Sequence, residues 1–399
     1  MAGALAVAGL LAGCGLGGEA TPVPTTATSA AATSAASSVT ATPTPTPTPT
    51  PTCVAVTEAS LTAQQRVGQL LMVGFDTNAA RRSLDKTIRA THVGNVIYLG
   101  GWYGRTKVKA TSRHLQSLVG ASSTGDVGLL IAADQEGGVV HQLRGDGFTQ
   151  PPSAKAQAAM TPDELTAAAT GWAKELKAAG INVNLAPVTD TVPASIGTAN
   201  QPIGRWGRQY GSTPKVVSRS ATAFLRGMLA GGVEGTVKHF PGLGRITGNT
   251  DFAATGITDR VATVDDPYLQ PFADGIRAGA GLVMVSSARY PKLDGKNAAM
   301  FSRAIITDLL RGRLGYDGVV ITDDVNAAAV RDVPVTQRAV RFLDAGGDIV
   351  LTGDPSVAAR MSAAVLARAA DNPAFAARVD AAVTRVLALK DRMGLLPCS

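Results

Sequence analysis

The sequence predicts a single α/β domain over residues 54–399, folded as a closed (β/α)8 barrel of the TIM type. Short apolar runs, several opening after a glycine or a turn, recur eight times. Amphipathic stretches lie between them, and continuous apolar strands alternating with helices indicate a parallel sheet covered on both faces. Eight such units over about 340 residues suit a closed barrel better than an open doubly wound sheet. No Gly-x-Gly-x-x-Gly follows the first strand, which argues against a dinucleotide fold.

The chain begins with an address and a tether. Met1 to Gly18 carry no charge and are mostly Ala, Leu and Gly. The apolar run has the length of a signal-peptide core and is too short to span a bilayer. Leu11-Ala12-Gly13-Cys14 resembles the lipobox of bacterial lipoproteins, which implies that residues 1–13 are cut off and that Cys14 is acylated. No Lys or Arg precedes the run, as expected if the true translation start lies further upstream. The alternative is a buried cysteine in an ordinary apolar helix. Residues 14–53 then read as a linker: Thr21 to Thr52 is mainly Thr, Pro, Ala and Ser, without a charge. Such a stretch buries nothing that would offset the entropy of ordering. Pro43, Pro45, Pro47, Pro49 and Pro51 favour extended polyproline II, with a reach on the order of 100 Å at about 3.1 Å per residue. The expected location is therefore outside the cell, lipid-anchored to the outer face of the cell membrane.

Cys53 opens the globular part and Cys398 nearly closes it. In an exported barrel, whose ends lie close together, the two are a candidate disulfide; two free thiols are the alternative. The predicted strands are Leu71–Phe75, Gly94–Leu99, Gly128–Ala133, Ile181–Ala186, Gly235–His239, Gly281–Ser286, Gly318–Thr322 and Asp348–Thr352. Helices are expected over Thr161–Ala179, where Thr161-Pro162-Asp163-Glu164 supplies a start signal, and over Lys215–Ala230 and Asp380–Arg392.

Charged residues gather where the apolar strands end. These are Asp134-Gln135-Glu136, Asp190, Lys238-His239 and Asp323-Asp324. In a (β/α)8 barrel the C-terminal strand ends form the functional rim, so a polar pocket is expected there.

Two of these segments, Lys238-His239-Phe240-Pro241-Gly242-x-Gly244 and Val320-Ile321-Thr322-Asp323-Asp324, resemble signatures of glycoside hydrolase family 3. Asp134-Gln135-Glu136-Gly137-Gly138, Leu185-Ala186-Pro187-Val188-x-Asp190 and Arg208-x-Tyr210-Gly211 accompany them in the family's order, as do Tyr290-Pro291-x-Leu293-Asp294 and the terminal helix from Arg378 to Lys390. The similarity spans about residues 58–396 and is greatest to single-domain β-N-acetylglucosaminidases acting on cell-wall sugars. It implies Asp323 as the nucleophile of a retaining mechanism, kept charged by nearby Lys238 or Arg208. It implies Lys238, His239 and Asp134 as partners of sugar hydroxyls, and Arg208 as an arginine near the N-acetyl side of the ring. Asp324 fits a helix-capping role instead.

The departures concern the proton donor. The family's N-acetylglucosaminidases carry an Asp-x-His pair after this loop, whose histidine is the acid/base. Here Asn249-Thr250-Asp251 stands in its place, Leu243 replaces another histidine, and Gln142 stands where an arginine is expected, with Arg144 two residues on. Three explanations stay open. Asp251 is the general acid, with a pKa raised by a dry site; another carboxylate such as Glu136 serves; or the site binds sugar and hydrolyses poorly.

Composition removes other classes. Three cysteines are too few for a disulfide scaffold or a four-cysteine zinc site, and none of the four histidines pairs at metal-binding helical spacing. The net charge of +7 comes without a dense Lys/Arg block, so no nucleic-acid partner is expected. No cofactor or metal is implied, and a monomer is expected. The functional expectation is a retaining hydrolase releasing terminal β-linked N-acetylglucosamine from peptidoglycan fragments. The alternatives are a β-glucosidase or β-xylosidase of the same family and a lapsed sugar-binding lipoprotein. Water or phosphate as the sugar acceptor is left open.

Overall fold

The computed structural model describes residues 51–398. Cys14 and the linker up to residue 50 lie outside the described residues. Eight parallel strands form the barrel: β1 (Leu71–Asp76), β2 (Asn95–Leu99), β3 (Leu130–Ala133), β4 (Val183–Asn184), β5 (Glu234–Phe240), β6 (Leu282–Val285), β7 (Val319–Thr322) and β8 (Val350–Thr352). Sequential strands pair side by side from β1 to β7, and β8 pairs with β1. The remaining seam closes through a parallel bridge between Ile321 and Ile349, with Thr322 N donating to Ile349 O at 3.0 Å. Buried Asp348 reinforces it, accepting from Val320 N at 2.7 Å and from Arg311 at 2.6 Å. The sheet is thus a (β/α)8 barrel, as expected from the alternation of apolar and amphipathic segments.

Each predicted strand is present, with edges moved by one or two residues in most cases. Gly94, Gly128, Gly281 and Gly318 lie just before the strands they were expected to open. The shortest, β4, is trimmed at both ends. There the Asn182 amide caps β3 from the side, accepting from Ile131 N at 2.7 Å, while Asn184 exchanges two hydrogen bonds with the Gln135 backbone.

Helices follow the strands and cover the barrel. In Pro162–Ala178 the Thr161 side chain accepts from Glu164 N and Glu164 accepts from Thr161 N, a reciprocal capping box that satisfies two orphan donors. Its buried stripe of Leu165, Ala169, Trp172, Ala173 and Leu176 follows helical periodicity. It meets the helix Pro214–Ala230 through small residues: a Cβ on Gly227 would come within 2.5 Å of Ala169 Cβ. The terminal helix, Pro373–Arg392, starts seven residues before its predicted Asp380. Asn372 caps it and Pro373 occupies its first turn, a start signal upstream of the apolar periodicity.

That helix also ties the floor of the barrel. Lys390 is buried, and its ammonium donates to Gln69 Oε1 at 2.6 Å and to Gly94 O and Gly128 O at 2.9 Å each. These carbonyls precede β2 and β3, so one side chain links three segments. Burial without an anionic partner pushes its pKa well below the ordinary lysine value. Cys53 and Cys398 form a disulfide with Cα atoms 5.8 Å apart, joining the first helix, Cys53–Ser60, to the end of the chain.

Candidate active site

At the C-terminal end of the strands lies a cavity of about 290 Å³. Ile97, Leu99, Leu185, Met284 and Leu351 form its apolar floor and sides. Its polar lining comes from four different strand ends. Asp134 and Glu136 follow β3, and Arg208 comes from the segment after β4. Lys238 and His239 end β5, Asp251 sits on the loop beyond it, and Asp323 follows β7. Asp134, Arg208, Lys238, His239, Asp251 and Asp323, the catalytic and sugar-binding candidates of the sequence, therefore line one cavity.

Glu136 is the hub. Arg208 grips it with a two-pronged hydrogen bond, Nε to Oε2 at 2.8 Å and Nη2 to Oε1 at 2.7 Å. Lys238 Nζ lies 2.7 Å from Glu136 Oε1 and donates to Asp134 Oδ1 at 2.5 Å. Burial pushes the Glu136 carboxyl up, but Arg208 and Lys238 outweigh it and hold the pKa at about 2. A carboxyl so acidic has no proton to give near neutrality, so Glu136 is excluded as the general acid. Burial likewise opposes the Lys238 charge, and Asp134 and Glu136 reverse that and raise its pKa. With two of its N–H groups engaged, one is left for a ligand.

The loop that delivers Glu136 needs its glycines. Gly137 has φ +107°, and a Cβ there would lie 2.3 Å from Pro152 O. Gln157 fastens the same loop, donating to Glu136 O at 2.8 Å and accepting from Tyr210 Oη at 3.1 Å. The Arg208-x-Tyr210 pattern thus reaches the Asp134-Gln135-Glu136 loop twice, once through each side chain.

His239 is oriented from behind. Its Nδ1 lies 2.7 Å from Oδ2 of fully buried Asp190, which also accepts from Leu243 N at 2.7 Å. An ionised carboxylate only accepts, so Nδ1 carries the proton and Nε2 is left for a ligand. Asp190 was legible as a rim carboxylate, but its job of aiming His239 was not.

Asp323 is half-buried at the mouth of β7. Its Oδ1 accepts from Asp324 N at 2.9 Å. Burial pushes its carboxyl up, while His239 and then Lys238 pull it back, leaving it above the ordinary aspartate value. Of the two expected helpers, Lys238 acts on Asp323, while the Arg208 guanidinium is bonded to Glu136. Asp324 also borders the cavity, but its Oδ1 is taken up by backbone, accepting from Asn326 N at 2.8 Å and Gly353 N at 3.2 Å. It clamps the turn after β7 to β8 and does not cap a helix.

Asp251 sits at the cavity mouth with its outer surface open to solvent. Its loop is pinned across the opening: Ala328 N donates to Asp251 O at 3.1 Å and Ala329 N to Thr250 O at 3.0 Å. Asn249 folds back on the same loop, accepting from Asp251 N at 3.0 Å. The enclosing walls and then the Asp323 charge push the Asp251 carboxyl up to about 6, against the pull of His239 and Arg208. Of the five carboxyls that line the cavity, Asp323 and Asp251 are therefore raised above their ordinary values while Glu136 is held ionised. Gln142 and Arg144 take no part. Gln142 Oε1 accepts from Gly101 N at 3.1 Å, and Arg144 Nε donates to His141 O at 3.0 Å outside the cavity lining.

A family model described as glycosyl hydrolase family 3 N terminal domain matches residues 62–389. The chain belongs to glycosyl hydrolase family 3. It is a glycoside hydrolase, similar to relatives bearing more specific names. A β-N-acetylhexosaminidase from Beutenbergia cavernae is 50% identical, with a TM-score of 0.81 over 83% of this chain and 99% of that one. A family 3 β-N-acetylglucosaminidase from a Paenibacillus is 34% identical, with a TM-score of 0.73 over 84% of this chain and 63% of that one. A β-hexosaminidase from Xylella fastidiosa is 36% identical over 255 residues, covering 62% of this chain and 73% of that protein.

Proposed function

We propose that this family 3 hydrolase releases terminal β-linked N-acetylglucosamine from peptidoglycan fragments with retention, through a glycosyl ester on Asp323. The carrying observation is that Asp323 and Asp251 share one cavity yet come from different strand ends and sit in different surroundings. Burial raises the Asp323 carboxyl, and His239 and Lys238 offset part of that rise. Asp251, with its carboxyl pushed up to about 6, keeps a proton to give at mildly acidic pH. In the first step Asp323 attacks the anomeric carbon while Asp251 protonates the departing oxygen. In the second, water attacks that carbon, Asp251 takes its proton, and the ester to Asp323 breaks. Lys238, Asp134 and His239 Nε2 hold the hydroxyls, and the fixed carboxylates favour the positive charge that develops on the ring. The names of the similar proteins support N-acetylhexosamine as the sugar.

Aryl β-N-acetylglucosaminide is expected to be cleaved with kcat/KM at least about 100-fold above that of the matching aryl β-glucoside, since a site built for a polar group rejects the analogue lacking it. Equal turnover of both would move the assignment to a β-glucosidase. Binding of N-acetylglucosamine with no turnover of either would indicate a lapsed enzyme.

The proposed setting is the outer face of the cell membrane, with a monomeric barrel held on an acylated Cys14 at the end of its linker. The lipobox and the charge-free Thr/Pro stretch support it. Feeding cells an alkyne-tagged fatty acid should label the protein, and Cys14→Ala should abolish the label; an equally labelled variant would refute the anchor.

A further inference from the structure

We propose that Trp206 and Phe252 form the aglycone subsite, on which the sugar ring at the leaving side of the scissile bond stacks; this rests on the glycosidase reading above. The polar cavity, at about 290 Å³, has room for about one pyranose, so the next ring of any glycoside must lie beyond its mouth. A second hollow of about 790 Å³ lies there, and Asn249 lines both. Trp206 and Phe252 line the second hollow, and Phe252 follows Asp251 directly. The second hollow and its two rings therefore adjoin the loop that carries Asp251.

Both rings are unusually bare. Trp206 is 49% exposed and Phe252 83% exposed. Tyr103 is also bare, at 68%, but it lines neither hollow, whereas aromatics such as Trp102, Tyr98 and Phe75 pack together, Phe75 stacked on Tyr98 and Trp102 edge-on to both, and Phe240 meets Phe272 edge to face at 5.3 Å. Large apolar surface left in water beside a polar cleft marks a binding surface. The occupant that fits is a β-linked pyranose, whose face of axial C–H groups is apolar while its edge of hydroxyls is polar. Arg205, with its guanidinium 5.7 Å from the Trp206 ring, supplies donors for that edge.

The rings are also presented on fixed backbone. Trp206 ends the short turn Gly204–Trp206, whose base Asn200 donates to Leu243 O at 2.7 Å and to Ile246 O at 2.8 Å. This ties the segment after β4 to the loop after β5. Phe252 N donates to Asn249 O at 3.1 Å, and the neck of its loop closes through Gly248 N to Gly256 O at 2.8 Å. A surface held this way loses little freedom on binding.

The test compares two substrates with the same glycone: the β-linked disaccharide of N-acetylglucosamine and the β-azide of N-acetylglucosamine, which has no second ring. Their kcat/KM values are measured for the unaltered protein, Trp206→Ala and Phe252→Ala. The ratio of disaccharide to azide should fall about tenfold in each variant, as expected for loss of one aromatic stacking partner. Trp206→Phe should restore most of it. An unmoved ratio in both variants, or equal losses on both substrates, would overturn the subsite alone. Failure of the unaltered protein to turn over either substrate would refute the glycosidase reading and the subsite with it.

Discussion

Asp323→Asn should lower kcat on an aryl β-N-acetylglucosaminide by about 10⁴-fold or more, the scale seen when a nucleophile is removed from an otherwise intact site. The substitution is a clean one. Asparagine keeps an Oδ1 that can still accept from Asp324 N, now at 2.9 Å, so the turn after β7 keeps its bond. What disappears is the charge that attacks carbon. The unaltered enzyme incubated with a slow fluorinated glycoside should gain the mass of one glycosyl group, and peptide mapping should place it on Asp323. The asparagine variant should gain none. A variant that hydrolyses as fast as the parent, or an adduct elsewhere, would remove Asp323 from the mechanism.

Asp251→Asn should lower kcat by about 10²–10⁴-fold with poor leaving groups and much less with activated aryl ones, which depart without a proton. The pH profile separates donor from scaffold. Activity requires Asp323 ionised and Asp251 protonated. The rate should therefore rise as Asp323 loses its proton, at a pH above the ordinary aspartate value because burial raises it. It should fall as pH climbs through about 6, where Asp251 loses its own proton. The two groups repel as anions, so the limbs belong to the pair and not to either alone. In Asp251→Asn the alkaline limb should vanish. An alkaline limb that persists near pH 6 in that variant would assign the proton to another group. Glu136 is not that group, since Arg208 and Lys238 keep it ionised far below this range.

Much of this was legible in the residues because it depends on local pattern. Apolar runs separated by amphipathic segments mark the strands and their order, and a parallel alternation repeated eight times leaves closure as the natural way to bury both sheet faces. Strand ends then identify the rim, which is why Asp134, Lys238, His239 and Asp323 could be picked out before any geometry. Thr161 and Glu164 marked a helix start for the same reason, as a capping box is complete within four residues. The early start of the terminal helix was missed because Asn372-Pro373 precedes the apolar stripe that announces the helix.

Partner choice was not legible, because it is made across the barrel. Arg208 and Glu136 are 72 positions apart, and Lys238 and Asp134 are 104 apart. Sequence alone left Glu136 as a possible acid; the fold removes that role by joining Glu136 to Arg208 within the cavity that Asp323 also lines. Chain order determined which side chains reach the mouth of the barrel. The closed sheet decided which of them meet, and burial there makes one carboxyl a permanent anion, leaves a second above its usual pKa, and lifts a third to about 6. A charge's cost depends on what surrounds it, and those surroundings are assembled from segments that only the fold brings together.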